Sequence, residues 1–290
     1  MNYLEKYVGF LRPAFKLKRK LKVIIDCSNG VTGPVLRGLF KHQPLLEAIF
    51  LNDQIDGHFP AHGPNPFVPG AQNQLQETVR RVKADLGVIF DGDGDRVFFV
   101  DNQGQAIDPH EAAYILMQEF RGPYVLGAIS SWRLRQKKTH MSRVGHYFFK
   151  QLMRQKKANL GVEHSGHYYF KKFFYCDSGI FAAIHVLNFV SKLDIDLSQW
   201  LRKLPAYYRS GEINFTVKNS DVVLRSFKQK YEPKALAVST LDGVTIEYSD
   251  WWCNVRPSNT EPLIRLNMEA KSKDVLELRQ KELTDFLKKF

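Results

Sequence analysis

Residues 85–96 read DLGVIFDGDGDR, a buried-strand pattern running straight into a loop of alternating aspartates and glycines. The apolar run has strand length and no polar side, as expected of a strand covered on both faces of a parallel sheet. Ligands collect in loops at the carboxyl ends of such strands. Glycines between Asp91, Asp93 and Asp95 let a tight loop turn three carboxylates onto one centre. Three hard oxygen donors with coordination positions to spare suit Mg²⁺ held together with a phosphate. An EF-hand loop also opens D-x-D-x-D, but it needs Gly at its sixth position and Glu at its twelfth. Those positions are Arg96 and Asn102, which excludes it.

Outward from this stretch, strands and helices alternate. LKVIID (21–26) and LLEAIFL (45–51) read as strands, residues 34–41 and AQNQLQETVRRVKA (71–84) as helices, and FPAHGPNPFVPG (59–70) as a Pro/Gly loop. This is the βαβ pattern of an α/β domain over residues 1–105. A second α/β domain is expected over 106–206. It contains the helix DPHEAAYILMQEF (108–120), with Asp108 as N-cap and Pro109 at the first helical position. The strand YVLGAIS (124–130), a helix near HYFFKQLMRQ (146–155) and the helix SGIFAAIHVLNFVSK (178–192) follow. From 207 to 290 strands succeed one another (INFTV, ALAVST, VTIEY, WWCNV, LIRLNMEA) with a polar helix near the start and a final helix, the signature of an α+β domain.

Two further loops carry chemistry. RPSNTEP (256–262) lies between two strands, where the planar fork of Arg256 and the short donors Ser258, Asn259 and Thr260 suit a phosphate dianion. The same residue types also populate ordinary turns. GVEHSGHYYF (161–170) alternates Glu163, Ser165 and His167 between glycines, offering acceptors and donors at the spacing of vicinal sugar hydroxyls. His164 and His167 have no clustered cysteine or further histidine to complete a metal site.

The formal net charge of +12 attracts anions, phosphorylated metabolites or nucleic acid. The basic clusters are short and scattered, and the aromatics fall mostly on apolar faces, which argues against a nucleic-acid partner. No apolar run reaches the ~18 residues of a membrane span, so no membrane partner is expected. The three cysteines, Cys27, Cys176 and Cys253, form no metal or disulfide spacing and fit a reducing cytoplasm.

Taken together the segments DCSNGVTG (26–33), FPAHGPNP (59–66), DLGVIFDGDGDR, RVGHYFFKQLM (143–153), GVEHSGHYYF and RPSNTEP resemble, in order and over nearly the whole chain, the α-D-phosphohexomutases. The resemblance implies that Asp91, Asp93 and Asp95 hold Mg²⁺ and that Arg96 lies beside a metal-bound phosphate. It implies too that Glu163, Ser165 and His167 read the sugar, that Arg143 lies near substrate, and that Arg256, Ser258, Asn259 and Thr260 clamp the phosphate of a hexose phosphate. The family's first domain carries a phosphorylated serine within Thr-Ala-Ser-His-Asn-Pro, yet no Ser-His pair occurs in these 290 residues. The chain is therefore expected to comprise family domains two to four and to be inactive alone as a phosphohexomutase. A separate chain carrying the first domain is a possible partner. The alternative is a non-catalytic hexose-phosphate-binding module or pseudoenzyme. His164 stands where the family's sugar loop often has Met or Gln.

Overall fold

The computed structural model describes residues 2–135, 138–258 and 261–290. It begins with a helix α1 (Tyr3–Leu11), then β1 (Leu21–Asp26), α2 (Thr32–Phe40), β2 (Leu46–Leu51), α3 (Asn73–Val82), β3 (Leu86–Phe90), β4 (Val97–Val100) and the two-residue β5 (Ala106–Ile107). Their sheet has the order β2-β1-β3-β4-β5. β1 runs parallel to β2 and to β3, with Val23 opposite Leu86, whereas β4 returns antiparallel to β3 and β5 antiparallel to β4. The sheet is therefore mixed. A parallel connection needs about a dozen residues or more, and the residues 91–96 between β3 and β4 can only fold the chain back on itself. α3 buries Leu75, Thr78 and Val79 at i, i+3 and i+4. Leu75 and Val79 pack with Ile24, Ile89, Phe98 and Val100 under the parallel strands.

Next come α4 (Pro109–Glu119), β6 (Tyr124–Gly127), β7 (Thr139–Ser142), α5 (His146–Lys156), β8 (Leu160–Val162), β9 (Tyr168–Phe170), β10 (Cys176–Asp177), α6 (Gly179–Val190) and α7 (Leu197–Arg202). The second sheet has the order β10-β9-β8-β6-β7, and β8, β9 and β10 pair antiparallel. Asp108 caps α4 by accepting from the His110 N–H, and Ser178 caps α6 by accepting from the Phe181 N–H.

The last segment holds β11 (Tyr208–Thr216), α8 (Ser220–Tyr231), β12 (Ala237–Ser239), β13 (Val244–Glu247), β14 (Trp251–Pro257), β15 (Leu263–Ala270) and α9 (Lys273–Leu287). Its sheet, β11-β15-β14-β13-β12, is antiparallel throughout. Strand alternation splits β15 cleanly. Ile264, Leu266 and Met268 join the core with Val223 and Phe227 of α8 and Leu283 and Phe286 of α9, while Arg265, Asn267 and Glu269 occupy the other face.

The chain packs as two compact units. One comprises Met1–Val125, Lys137–His140 and Lys150–Leu204; the other comprises Leu126–Gln136, Met141–Phe149 and Pro205–Phe290. The first contains the aspartate loop and residues 161–170, the second the segment around Arg143 and the loop at 256–258. All three cysteines are unpaired. Among the described residues no helix is long and apolar enough to cross a membrane.

Candidate functional site

In the first unit, the turn from β3 to β4 carries the three aspartates. Gly94 adopts φ +77°, a conformation a side-chain-bearing residue rarely takes, and this closes the loop tightly. The result brings one carboxylate oxygen from each of Asp91, Asp93 and Asp95 within 4.8 Å of the others. Asp91 is buried and accepts from the Gly94 N–H (3.0 Å), the Arg96 N–H (3.1 Å) and Arg96 Nε (2.6 Å). Burial nevertheless pushes its carboxyl up to about 6, the bonds from Arg96 only partly offsetting the desolvation. A charge so poorly compensated is what a divalent cation would relieve. Three convergent carboxylates, with Asp93 open to solvent, fit Mg²⁺ by donor type.

The 161–170 loop is tied directly to this one. Arg96 and His167 form an antiparallel β-bridge, and the Val97 N–H donates to the Gly166 carbonyl (3.3 Å). His167 Nε2 lies 3.4 Å from Asp95 Oδ2, and His167 Nδ1 lies 2.7 Å from Ser165 Oγ and 3.8 Å from Glu163 Oε2. Burial opposes the charged imidazole, yet the Asp95 hydrogen bond and the Asp95, Glu163 and Asp177 charges together raise its pKa. In turn the His167 hydrogen bond holds the Asp95 carboxyl down at about 2. Glu163 is buried and accepts from the Tyr169 hydroxyl (2.6 Å). The structure thus gathers Asp91, Asp93, Asp95, Arg96, Glu163, Ser165 and His167 into one constellation. His164 turns elsewhere, stacking on His110 with ring centroids 4.8 Å apart and meeting the Phe67 ring edge-on.

Sequence reading did not single out the support from the Pro/Gly loop. Arg96 Nη1 donates to Asn65 Oδ1 (3.3 Å), and the Gly92 N–H donates to the Pro64 carbonyl (3.0 Å). Nearby, His62 Nε2 lies 3.2 Å from the fully buried Asp26 carboxylate.

In the second unit, Arg256 lies near the end of β14, cross-strand from Arg265 on β15. Arg256 Nη2 donates to Glu212 Oε2 (3.2 Å), and its Nη1 lies 3.9 Å from Asp242 Oδ2. Arg265 Nη1 lies 3.3 Å from the other Glu212 oxygen, and its Nη2 donates to Ser258 Oγ (3.3 Å). Arg143 is exposed, with its guanidinium over the Phe148 ring at 4.8 Å. The neighbouring Val144 N–H donates to Asp242 Oδ2 (3.2 Å), so one carboxylate links the Arg143 segment to Arg256. Asn259 and Thr260 lie outside the described residues. Glu212, Asp242 and Arg265 were missed in the sequence because their pairing depends on strand register. The parity shared by Arg265, Asn267 and Glu269 was the available signal.

Residues 2–104 match the family model "Phosphoglucomutase/phosphomannomutase, alpha/beta/alpha domain II", 127–208 the corresponding domain III, and 212–286 the C-terminal domain of the same family. A phosphomannomutase of Vibrio cholerae is 34% identical over 99% of this chain and 66% of its own length. A phosphomannomutase of Methanocaldococcus jannaschii is 33% identical over 100% and 66%. The crystal structure of a phosphoglucomutase/phosphomannomutase family protein from Burkholderia thailandensis superposes with a TM-score of 0.88 at 31% identity, covering 99% of this chain and 64% of that one. The chain spans about two thirds of the length of these relatives.

Proposed function

Because the chain belongs to the phosphoglucomutase/phosphomannomutase family, we propose that it supplies the metal, sugar and phosphate loops of a phosphohexomutase interconverting hexose 1- and 6-phosphates. The observation that carries this reading is the joining of the aspartate loop to the sugar loop, with His167 Nε2 3.4 Å from Asp95 Oδ2. A group that reads sugar hydroxyls then lies against the group that handles the transferring phosphate.

Each side chain has a role that follows from its chemistry. Asp91, Asp93 and Asp95 would hold Mg²⁺, which when bound neutralises phosphoryl charge. Arg96, anchored by Asp91 and Asn65, presents its guanidinium beside them. Glu163, Ser165 and His167 orient the hexose through its hydroxyls. Arg256, with Ser258, Asn259 and Thr260, grips the phosphate that is not being transferred, and Arg143 adds positive charge near substrate. Phosphoryl transfer asks little covalent chemistry of the protein, and positioning with charge neutralisation does most of the work.

The family's phosphoserine motif has no counterpart among these residues, since no Ser-His pair occurs in the sequence. We propose that the donor serine lies on a segment outside these 290 residues or on a separate chain, and that the chain as given is inactive alone in a reducing, cytoplasmic setting. A second reading, a non-catalytic hexose-phosphate-binding module, draws on the same lack of a Ser-His pair. The test is a mutase assay on glucose 1-phosphate and mannose 1-phosphate with Mg²⁺ and a hexose bisphosphate. The chain alone should stay at background, and adding the first domain of the Vibrio cholerae relative should raise turnover. Robust turnover by the chain alone refutes the missing-donor argument. No response to the added domain favours the binding module.

A further inference from the structure

The turn between β12 and β13 is built around Asp242. Gly243 follows it at φ +67°, and a Cβ there would collide with the Val255 carbonyl oxygen and with Cα and Cβ of Arg256. The turn therefore needs glycine both for its conformation and for its close approach to Arg256. It is pinned from below by Asn254, fully buried, whose Nδ2 donates to the Asp242 carbonyl (2.8 Å) and to Thr245 Oγ1 (2.9 Å). Such a buried amide anchoring a surface turn fixes where the Asp242 carboxylate stands.

That carboxylate serves two clients. Its Oδ2 accepts from the Val144 N–H at 3.2 Å and lies 3.9 Å from Arg256 Nη1. On the opposite side the Arg256 guanidinium meets Glu212, so its two Nη atoms each face a carboxylate. Asp242 and Arg256 are both largely shielded, with side chains 17% and 11% exposed, so their charges are only partly screened.

We propose that Asp242 is a positioning residue that couples the Arg143 segment to the phosphate clamp, so that filling the clamp is felt at Val144. This rests on the reading of Arg256 as a phosphate ligand. A phosphate dianion arriving at Arg256 competes with Asp242 for the guanidinium. As the Asp242–Arg256 attraction changes, so does the strength with which the same oxygen holds the Val144 N–H, one residue from Arg143. Phosphate occupancy and the placing of Arg143 become one event.

The test follows backbone amide shifts while glucose 1-phosphate is titrated into the wild-type chain, Asp242→Ala, Asp242→Asn and Arg256→Ala. In wild type the Val144 and Ser258 amides should shift together with a single apparent Kd. In Asp242→Ala the Ser258 response should persist while the Val144 response falls at least threefold. Asp242→Asn keeps an acceptor for Val144 but loses the charge that senses Arg256, and should show the same loss. The Asn254 side-chain amide signals, unchanged in each variant, report that the turn is intact. A simple structural role would disturb those signals without separating the two responses.

If the Val144 shift survives undiminished in Asp242→Asn, or never accompanies Ser258 in wild type, the coupling is refuted. If wild type gives no Ser258 response, or Arg256→Ala leaves it unchanged, the phosphate-clamp reading itself is what fails.

Discussion

The aspartate loop and the arginine clamp meet opposite problems of charge. In the first, three carboxylates converge and the chain answers them with Arg96 and His167, leaving Asp91 buried and raised to about 6 by desolvation. In the second, Arg256 and Arg265 already face Glu212, Asp242 and Glu261 at 3.2–3.9 Å. One region is short of positive charge, whereas the other holds its own counter-ions in place. A cation should improve the first outright, while an anion entering the second must compete with resident carboxylates. Reading the sign of a motif is thus not enough to know the field around it.

The largest effect should come from Arg96→Ala, which leaves the buried Asp91 carboxylate without its guanidinium. Breaking a buried pair from one side costs about 3–5 kcal/mol. With Arg96 25% exposed, the lower end is expected in urea unfolding at neutral pH. A loss under about 1 kcal/mol would place this pair with ordinary surface salt bridges.

Arg256→Ala should come next, weakening hexose-phosphate binding by the roughly 1.5–3 kcal/mol of a charge-assisted contact, with Arg256→Lys in between because it keeps the charge but not the fork. Calorimetry with glucose 1-phosphate measures both. Equal affinities in all three proteins would remove Arg256 from the clamp.

Glu212→Gln tests the competition directly. Removing the resident charge should tighten glucose 1-phosphate binding by about twofold to fivefold, in line with a partly exposed ion pair of roughly 0.5–1 kcal/mol. Weaker binding would mean that Glu212 orients the guanidiniums more than it opposes the ligand.

An effect of similar size, set apart by its pH dependence, concerns His62 in the Pro/Gly loop, whose Nε2 pairs with the buried Asp26. Its hydrogen bond to Asp26 raises its pKa above the ordinary 6.5 despite the opposing effect of burial. A basic group with a raised folded pKa stabilises fully below its unfolded pKa and loses that contribution as pH rises through the folded value. His62→Gln should therefore cost on the order of 1 kcal/mol in mildly acid solution and less as pH climbs past the imidazole range. A gap that widens with pH would contradict the pairing.

The first region was far more legible in the sequence than the second. Asp91, Asp93 and Asp95 sit within five residues behind an apolar strand, and local chain geometry alone forces them together. The joining of His167 to Asp95 needed the β-bridge from Arg96, which sequence spacing does not reveal. In the clamp, Arg256 was visible beside Ser258 in a polar turn. Glu212 reaches it from β11 across a register shift between Arg209 and Glu212, and Asp242 arrives from the β12–β13 turn. Such partners are set by sheet order and bulges, which strand periodicity leaves undetermined. The antiparallel return of β4 was in turn encoded by the shortness of the aspartate loop.

Titrating Mg²⁺ into the wild-type chain and Asp93→Asn by calorimetry, with backbone amide shifts recorded in parallel, tests the central claim most directly. Weak saturable binding is expected, on the order of millimolar, with shifts concentrated at residues 91–96 and 163–167, little change at 256–258, and affinity reduced severalfold in Asp93→Asn. Equal affinity in the variant, or shifts that spread as strongly over the arginine clamp, would contradict a cation site built from these three aspartates.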